Sequence, residues 1–302
     1  GDTKWIILNE ADDQVYYNSS DDNSDDNSDD DLNIYPEYGK EIWLFNPITR
    51  TKISLPCLST LRENDGVCVV QKAVISSQPT LENNGNNCFI AAIVYYPYDP
   101  HIENIFLIFC KPGDTKWIIL KDCVKDHSLL DLAYCNGSFY ALDRCIKLVV
   151  CDIGSSTPMV GPFVSVIETF GEQYHFGVNI IESGGELLLV KWYTNEYCEF
   201  LKFLVFRLEQ DSHVWSEVKN LGGRSLFYSH SFVSGLKSSV SILACDNPGL
   251  KQNCIYFMSC DYKVRCVIFS LEDGSIQYIP QNVECPCLYG VWITPSFYSI
   301  DL

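Results

Sequence analysis

The sequence has few basic residues and no long apolar run, and both deficits narrow the functions it can serve. Its 21 lysines and arginines face 39 aspartates and glutamates, which gives a net charge of −18. Phosphate binding requires clustered basic side chains, so this balance argues against nucleic acid and against anionic membrane surfaces as partners. The longest apolar run, Cys88 to Tyr96, is about half of the ~18 residues of a membrane span. We therefore expect neither a nucleic-acid-binding nor a membrane protein.

The sequence also lacks the motifs of common catalytic and metal sites. It contains no G-x-S-x-G, no G-x-G-x-x-G and no G-x-x-x-x-G-K-[ST]. Its histidines are dispersed without H-x-x-x-H or H-E-x-x-H spacing, and the nearest pair of cysteines, Cys285 and Cys287, has no histidine nearby. We therefore expect no enzyme, no cofactor, and no catalytic, cofactor-binding or metal-binding residue. The five histidines are His101, His127, His175, His213 and His230.

The cysteines do not form the pattern of a disulfide framework. There are 15 of them, an odd number, and none forms a C-x-x-C pair. Secreted disulfide scaffolds are short and have an even number of cysteines, whereas reduced cysteines are small core residues. Several lie in strand-like segments, among them Cys110, Cys151, Cys254 and Cys266. The sequence thus predicts reduced thiols and a cytoplasmic or nuclear location.

One segment near the N-terminus is strongly acidic. Residues 9–40 hold eleven acidic side chains and one lysine, and residues 19–31 contain only serine, aspartate and asparagine. Such blocks of like charge repel each other and predict a disordered insertion. The spacing from Asp21 resembles a calcium-binding loop, but Asp26 stands where that loop needs glycine and Leu32 where it needs glutamate. We therefore interpret the segment as a solvated loop.

Most of the remaining chain consists of short strand-like runs joined by turn residues. Asn136-Gly137 separates two apolar runs and predicts a type I′ hairpin, because both residues tolerate a positive φ. Gly184-Gly185 and Asp273-Gly274 have the same position between runs. Counting the runs gives about 22 strands, and no segment shows the 3.6-residue period of an amphipathic helix. The sequence therefore predicts an all-β fold.

A repeated unit of strand, turn and strand favours a propeller. The unit appears where Ile42 to Phe45 precedes Thr51 to Leu55, and its other copies start about 40–65 residues apart, the range of a four-stranded blade with variable loops. A β-sandwich of this length would need two domains, and no linker separates them. We therefore expect residues 1–302 to form a single β-propeller of about six four-stranded blades. The other copies begin at Ile105, Lys147, Phe203 and Cys266.

The two ends of the chain suggest how the ring closes. The octamer Gly1 to Leu8 recurs residue for residue at Gly113 to Leu120, so Trp5 to Leu8 reads as the second strand of a hairpin. Its first strand would be missing or supplied by the C-terminus, where Leu288 to Thr294 is strand-like. An unpaired strand edge is a template for association. We therefore predict that these two terminal runs share one sheet.

Tryptophans on strand-like segments are candidates for core packing rather than ligand stacking. Trp215 lies in a strand that follows the apolar run Phe203 to Phe206, so we expect it to anchor its blade. The same interpretation applies to Trp43, Trp117 and Trp292.

Four blocks in order resemble a plant family. They are Phe203 to Phe257, Asp131 to Asp143, Ile181 to Val190 and Val267 to Ile276. They look like the F-box-associated family of domain of unknown function 295, the KIB-type β-propellers, over about residues 41–297. The resemblance implies a propeller that holds a target protein for an SCF-type ubiquitin ligase, attached to an F-box that binds a Skp-like adaptor. No segment of this sequence has the leucine-rich helical pattern of an F-box, so we expect adaptor binding only if an F-box lies upstream.

Two function classes therefore remain. The first is a protein-interaction module whose target the sequence does not name. The second is a propeller enzyme, hydrolase-like, with a site in its central channel. Channel enzymes repeat acids, histidines or metal ligands at equivalent positions of several blades, and here equivalent turns carry unrelated residues. This difference favours the interaction module. The turn residues compared are Asn46, Lys111, Asp152, Glu209 and Glu272.

Overall fold

The computed structural model describes residues 6–11, 38–46, 49–61, 68–79, 88–95, 105–120, 129–153, 159–160, 175–195, 200–230, 237–260 and 264–279. Within these ranges the regular structure is β-strand, with two short 3-10 turns at Leu58–Leu61 and Ala244–Asp246 and no α-helix. None of the described residues forms a helix long and apolar enough to cross a membrane. The all-β prediction is confirmed, and twenty strands are described against the expected 22.

The strands form five sheets, which we name A to E in chain order. Sheet A contains β1 (Ile6–Ala11), β2 (Tyr38–Phe45) and β3 (Lys52–Leu55). Sheet B contains β4 (Val69–Ile75), β5 (Ile90–Tyr95), β6 (Ile105–Cys110) and β7 (Ile118–Ile119). Sheet C contains β8 (Leu129–Cys135), β9 (Ser138–Asp143), β10 (Leu148–Asp152) and β11 (Met159–Val160). Sheet D contains β12 (His175–Ser183), β13 (Glu186–Thr194), β14 (Phe200–Glu209) and β15 (Val214–Val218). Sheet E contains β16 (Arg224–His230), β17 (Lys237–Leu243), β18 (Cys254–Cys260), β19 (Val264–Ser270) and β20 (Ile276–Ile279).

The tight hairpins form where the turn residues predicted them. Asn136 and Gly137 have φ values of 48° and 87°, and Gly184 and Gly185 have 63° and 86°. Positive φ at both central residues is the type I′ geometry, whose twist matches that of the flanking strands. These turns set the register of β8 with β9 and of β12 with β13. Strands β4 and β5 also pair antiparallel, and residues 80–87 between them lie outside the described residues.

Apolar layers hold neighbouring sheets together. Strand β13 shows how, since its successive side chains are buried on alternate faces of sheet D. Leu187 and Leu189 pack toward sheet C, whereas Leu188 and Val190 pack toward sheet E. Similar clusters join sheet B to sheet C and sheet A to sheet B. A strand that is buried on both faces belongs between two packed sheets, as in a propeller ring.

One strand of each of sheets B to E lies at the centre of the ring. Strands β4, β8, β12 and β17 contact one another in succession, and β17 also contacts β4. Strands β8, β12 and β17 run in the same direction, because their contacts follow one another in the same order along each strand. Asp131 and then Cys135 of β8 contact Ile180 and then Gly185 at the end of β12, and Lys237 and then Ser241 of β17 contact Leu130 and then Ser183. We call the face where these strands begin the start face and the opposite face the end face. The fold is a β-propeller.

The prediction of four strands in every sheet holds for sheets B, C and D. It is wrong for sheet E, which has five strands in the order β17-β16-β18-β19-β20. Strand β17 folds back to the centre beside β16, so that β18 pairs with β16 in parallel. Sheet A has three described strands. Five sheets are described, and the predicted count of about six blades stays a prediction.

The N-terminal strand differs from its prediction. Strand β1 pairs antiparallel with β2, the next strand in the chain, with Ile6 opposite Phe45. The expectation that this run lacks a sequential partner is therefore wrong, because the segment between the two strands lets the chain return to the same sheet. The run 288–294, which we predicted to share this sheet, lies outside the described residues. The same holds for the acidic run 19–31.

Candidate functional site

Two regions of the molecule are rich in polar side chains, the centre of the ring and a cleft between sheets D and E. The centre depends on β-bulges in two inner strands. Strand β4 has a bulge at Gln71 and β8 has one at Leu130, where the register with the neighbouring strand shifts. Each bulge comes directly before a charged residue, Lys72 and Asp131. A bulge re-aims the side chain that follows it, and these two side chains meet.

Asp131 is the common acceptor of this central cluster. Its side chain is fully buried, and its Oδ1 accepts a hydrogen bond from Lys72 Nζ at 2.6 Å. Its Oδ2 accepts from Asn179 Nδ2 at 3.2 Å and from the Ile180 amide at 2.8 Å. Lys72 Nζ also donates to Ser239 Oγ at 3.2 Å. One carboxylate and one ammonium thus connect inner strands of sheets B, C, D and E.

A second set of ionisable groups surrounds this ion pair near the start face. Lys237 donates from Nζ to the carbonyl of the bulge residue Leu130. The pKa of Lys237 is lowered to about 8, mainly by burial and also by the charges of Lys72 and Arg144, while Asp131 acts in the opposite direction. Burial also lowers the pKa of His230 to about 3, so this imidazole is neutral at neutral pH. Burial raises the pKa of Tyr228 well above its ordinary value.

Trp192 connects the central cluster to the apolar layer between sheets D and E. Its indole Nε1 donates to Asn179 Oδ1 at 3.3 Å, and its ring lies 5.4 Å from that of Phe257. The ring covers Gly177 on the neighbouring strand, where an added Cβ would lie 2.0 Å from the indole. A glycine is therefore required at position 177 because the Trp192 indole approaches its backbone closely, and not because of its backbone conformation.

The second region is a cleft between the outer parts of sheets D and E. Its two adjoining parts have volumes of about 530 and 420 Å³ and share Lys219, Leu271 and Glu272. Lys219 and Glu272 are exposed. The walls are turns together with parts of the strands β14, β15 and β19. The other residues that line the cleft are Lys202, Phe203, Leu204, Val205, Glu217, Val218, Asn220, Gly222, Gly223, Gln252, Asn253, Phe269 and Gly274.

Asn253 fixes the shape of this cleft. It has a φ of 59°, a left-handed conformation that asparagine tolerates better than most residues. Its Oδ1 accepts from the Leu221 amide at 3.1 Å, and its Nδ2 donates to the Lys219 carbonyl at 3.3 Å. One side chain thus ties the connection from sheet D to sheet E to the start of β18. The cleft is preformed, which lowers the entropy cost of binding a partner.

The two regions suit different tasks. In the centre both oxygens of Asp131 and the ammonium of Lys72 are engaged by neighbouring groups, so these residues hold the ring together. In the cleft, charged side chains of both signs stand on turns and on the strands β14 and β15, where they are exposed and open to a partner. Among the described residues no group of three or more histidine, cysteine, aspartate or glutamate side chains could hold a metal ion.

The structure separates the residues that the sequence singled out. Of the turn residues compared between blades, the buried Asn46 accepts a hydrogen bond from the Thr49 amide, and Glu209 accepts from Arg207 and Ser216. His213 is exposed in the β14–β15 turn, His230 lies beside the central cluster, and the side chains of the other three histidines lie outside the described residues. The predicted residues therefore do not assemble into one site.

The cysteines and tryptophans differ in burial. Six of the ten cysteines whose side chains are described are buried, and none of the ten forms a disulfide. Burial raises the pKa of the buried Cys88, Cys110, Cys135 and Cys254, as expected for reduced core thiols. Trp117 is buried and donates to the Pro56 carbonyl at 2.6 Å. Trp215 is only half-buried and packs against the layer between sheets C and D. Trp43 is also half-buried, and Trp292 lies outside the described residues.

Sequence reasoning missed the central cluster, although a signal for it exists. Lys72 and Asp131 are the charged residues within Val69 to Ile75 and Leu129 to Cys135, which are otherwise apolar or uncharged. A charge inside a strand that is buried on both faces must find a partner. That rule identifies both residues as buried and paired, but not with each other.

The comparisons with known proteins agree with the fold. Residues 28–283 match the family model described as "KIB1-4 beta-propeller". The chain is 25% identical over 274 residues to "Putative F-box protein At5g55150" of Arabidopsis thaliana, covering 84% of this chain and 71% of that protein. It is 24% identical over 267 residues to "F-box/kelch-repeat protein At1g57790" of the same plant, covering 86% and 68%. These matches confirm the resemblance seen in the four sequence blocks. The chain belongs to the KIB1-4 β-propeller family.

Proposed function

We propose that the chain is a non-catalytic interaction module that recognises a target protein for an SCF-type ubiquitin ligase. The observation that carries this proposal is the preformed cleft between sheets D and E, with exposed Lys219 and Glu272 on turns that Asn253 holds in place. The family membership and the relatives named as F-box proteins support a protein partner. In this proposal a Skp-like adaptor binds an F-box, and residues 1–302 bind the target.

The proposal includes a cytoplasmic or nuclear location, and it competes with one alternative function. The ten cysteines with described side chains form no disulfide and most are buried, which suits the reducing cytosol or nucleus. A propeller enzyme is the second candidate, and the observation that favours it is the cluster of Lys237, His230 and Asp131 near the axis. Asp131 is already engaged by three neighbouring residues and its own strand, so it has no free oxygen for acid–base chemistry.

The test compares two matched lysine variants. Lys219 and Lys116 are both exposed, and Lys219→Glu and Lys116→Glu change the net charge equally. Proteins captured from a plant extract by residues 1–302 and by Lys116→Glu should be the same, and Lys219→Glu should lose them. Captured proteins should keep their mass after incubation with the chain, and a Skp-like adaptor should appear only when an F-box is present. Equal capture by both variants would contradict the cleft as the recognition site, and a mass change would favour the enzyme.

A further inference from the structure

Among the described residues, the centre of the ring and the start face beside it hold more cations than carboxylates, in contrast to the chain as a whole. The cations Lys72, Lys237 and Arg144 interact electrostatically. The carboxylates beside them are Asp131, which opposes them, and the buried Asp143, which directly precedes Arg144. His230 adds no charge at neutral pH because burial holds its pKa at about 3. The net charge of the whole chain is −18. A local positive charge in such a protein requires an explanation, since burying an unpaired ammonium is costly.

The geometry places this charge at one end of the ring. Lys237 is the first residue of β17, and its ammonium reaches the carbonyl of Leu130 at the bulge of β8. Leu129 pairs with Asp143, the last residue of β9, and Arg144 follows it. Lys237 and Arg144 therefore lie on the start face, beside the first residues of two inner strands. Asp131 does not neutralise them, because its Oδ1 is occupied by Lys72 and its Oδ2 by sheet D. The buried Asp143 is one carboxylate against these two cations.

The two cations differ in exposure, as a site that opens to solvent requires. Arg144 is exposed, and among the described residues it has no carboxylate partner. Lys237 is half-buried as a residue, and the one acceptor described for its ammonium is the Leu130 carbonyl. An ammonium has three donors, so it can make further bonds. An arginine at the surface and a lysine beneath it can hold one anionic group between them.

We propose that the start face carries an anion-binding site in which Arg144 and Lys237 hold a carboxylate or a phosphate group. The anion offsets the positive charge that Asp131 and Asp143 leave uncompensated among the described residues, and it stabilises the folded ring. The site lies at the axis on the face where the inner strands begin, apart from the cleft between sheets D and E. It is therefore independent of the proposed function, and loss of target capture by a cleft variant does not affect it.

The test measures the melting temperature of residues 1–302 at pH 7 and fixed ionic strength, with sodium chloride replaced by sodium phosphate or sodium citrate. A ligand that binds only the folded state raises stability by mass action, and we expect a rise of about 2–4 °C. Phosphate also stabilises proteins by exclusion from their surface. Binding at the site is therefore measured by the difference between the rise in melting temperature of the wild type and that of Lys237→Met. The variant should lack the part of the rise that is due to binding.

Two further variants make the result decisive. Arg144→Gln is exposed, so it should fold even if Lys237→Met does not, and it should lose most of the specific rise. Lys116→Glu, on sheet B, should respond as the wild type does. Equal rises in all four proteins, or no rise in any, would overturn the proposal.

A blocked triglutamate peptide identifies the source of the anion. If the peptide raises the melting temperature of the wild type but not of Arg144→Gln, the site accepts carboxylate side chains of a protein. If only phosphate or citrate does so, the site accepts a small free anion. Either result supports the site, and failure of the peptide and of both small anions contradicts it.

Discussion

Asp131 at the axis and Glu209 at the rim of sheet D make similar contacts in different surroundings. Asp131 accepts from Lys72 at 2.6 Å and is fully buried, whereas Glu209 accepts from Arg207 at 3.0 Å with 42% of its side chain exposed. Glu209 also accepts from Ser216, and that hydrogen bond lowers the pKa of its carboxyl. Water can replace the partners of Glu209 but not those of Asp131. A hydrogen-bonded ion pair is therefore needed for the stability of the axis, whereas a similar pair contributes little to stability at the rim.

The largest effect is expected when the axial carboxylate is removed. Asp131→Ala leaves the buried ammonium of Lys72 without a counter-charge and two donors of sheet D without an acceptor, and breaking a buried pair in this way costs about 3–5 kcal/mol. The free energy of unfolding from urea titration measures the loss. A cost below about 1 kcal/mol would mean that the centre of the ring is solvated.

Two tryptophans extend the comparison to apolar packing. Trp192 is buried beside the axis, and truncating a buried tryptophan costs about 3–5 kcal/mol because it leaves a cavity. Trp215 lies on the outer strand of the same sheet and is half-buried, so Trp215→Ala should cost clearly less than Trp192→Ala. The reverse order in urea titrations would restore Trp215 as the anchor that the sequence predicted.

The contact between Gly177 and Trp192 allows a second test of the position of the indole ring. Gly177→Ala forces its new methyl group against the indole, and overpacking of this kind costs about 1–3 kcal/mol. In a Trp192→Ala background the clash disappears, so the cost should largely vanish. Gly137→Ala is the control, since Gly137 has a φ of 87° and open space around it. Its cost should be the same in both backgrounds, and additivity for Gly177→Ala would show that the ring lies elsewhere.

The central histidine, His230, should make the stability of the fold depend on pH in the acid range. His230 has a folded pKa of about 3, against 6.5 when unfolded, so the unfolded chain binds more protons between these values. Its contribution is fully present above pH 6.5 and is lost as the pH falls toward 3. The cause is burial together with Lys237, while Asp131 acts in the opposite direction.

Subtracting the stability of a variant from that of the wild type isolates this contribution from the other titrating groups. His230→Phe should flatten the pH dependence of the melting temperature between pH 6.5 and 4. His213→Phe, in an exposed turn, should leave it parallel to that of the wild type. Parallel curves for both variants would place His230 in contact with water.

The rim carboxylate should have the smallest effect. Glu209→Ala removes the partner of Arg207, but Arg207 also donates to Glu186 at 3.2 Å and is itself 40% exposed. We expect a melting temperature within error of the wild type in 150 mM salt, because salt screens exposed charges. A loss comparable to that of Asp131→Ala would remove the distinction between axis and rim.

The sequence predicts the parts of this molecule that depend on neighbouring residues. Asn136-Gly137 specifies its own turn, and the continuous apolar runs in β13 and β14 specify strands buried on both faces. The Lys72–Asp131 contact joins residues 59 positions apart, and it depends on two bulges that no local pattern reveals. The fifth strand of sheet E is similar, since the parallel pairing of β16 with β18 depends on how β17 reaches the centre. Contacts between distant blades follow from the closed ring and are not encoded locally.

The cleft between sheets D and E lies between these extremes. Gly222-Gly223 marks a connection in the sequence, and the structure places that connection at the wall of the cleft. The role of Asn253 could not be predicted, because its side chain acts on residues 219–221, more than 30 positions earlier. A turn residue reveals its backbone conformation in the sequence, but not the segment that it holds.

Exchange of the Ile180 amide hydrogen tests the account of the axis most directly. This amide lies on the inner strand of sheet D and donates to Asp131 Oδ2 at 2.8 Å. If Asp131 ties the inner strands together, the amide should exchange only when the whole ring unfolds, and Asp131→Ala should speed its exchange far more than Glu209→Ala. Exchange in the wild type as fast as that of the exposed Gly184–Gly185 turn would contradict a central role for Asp131.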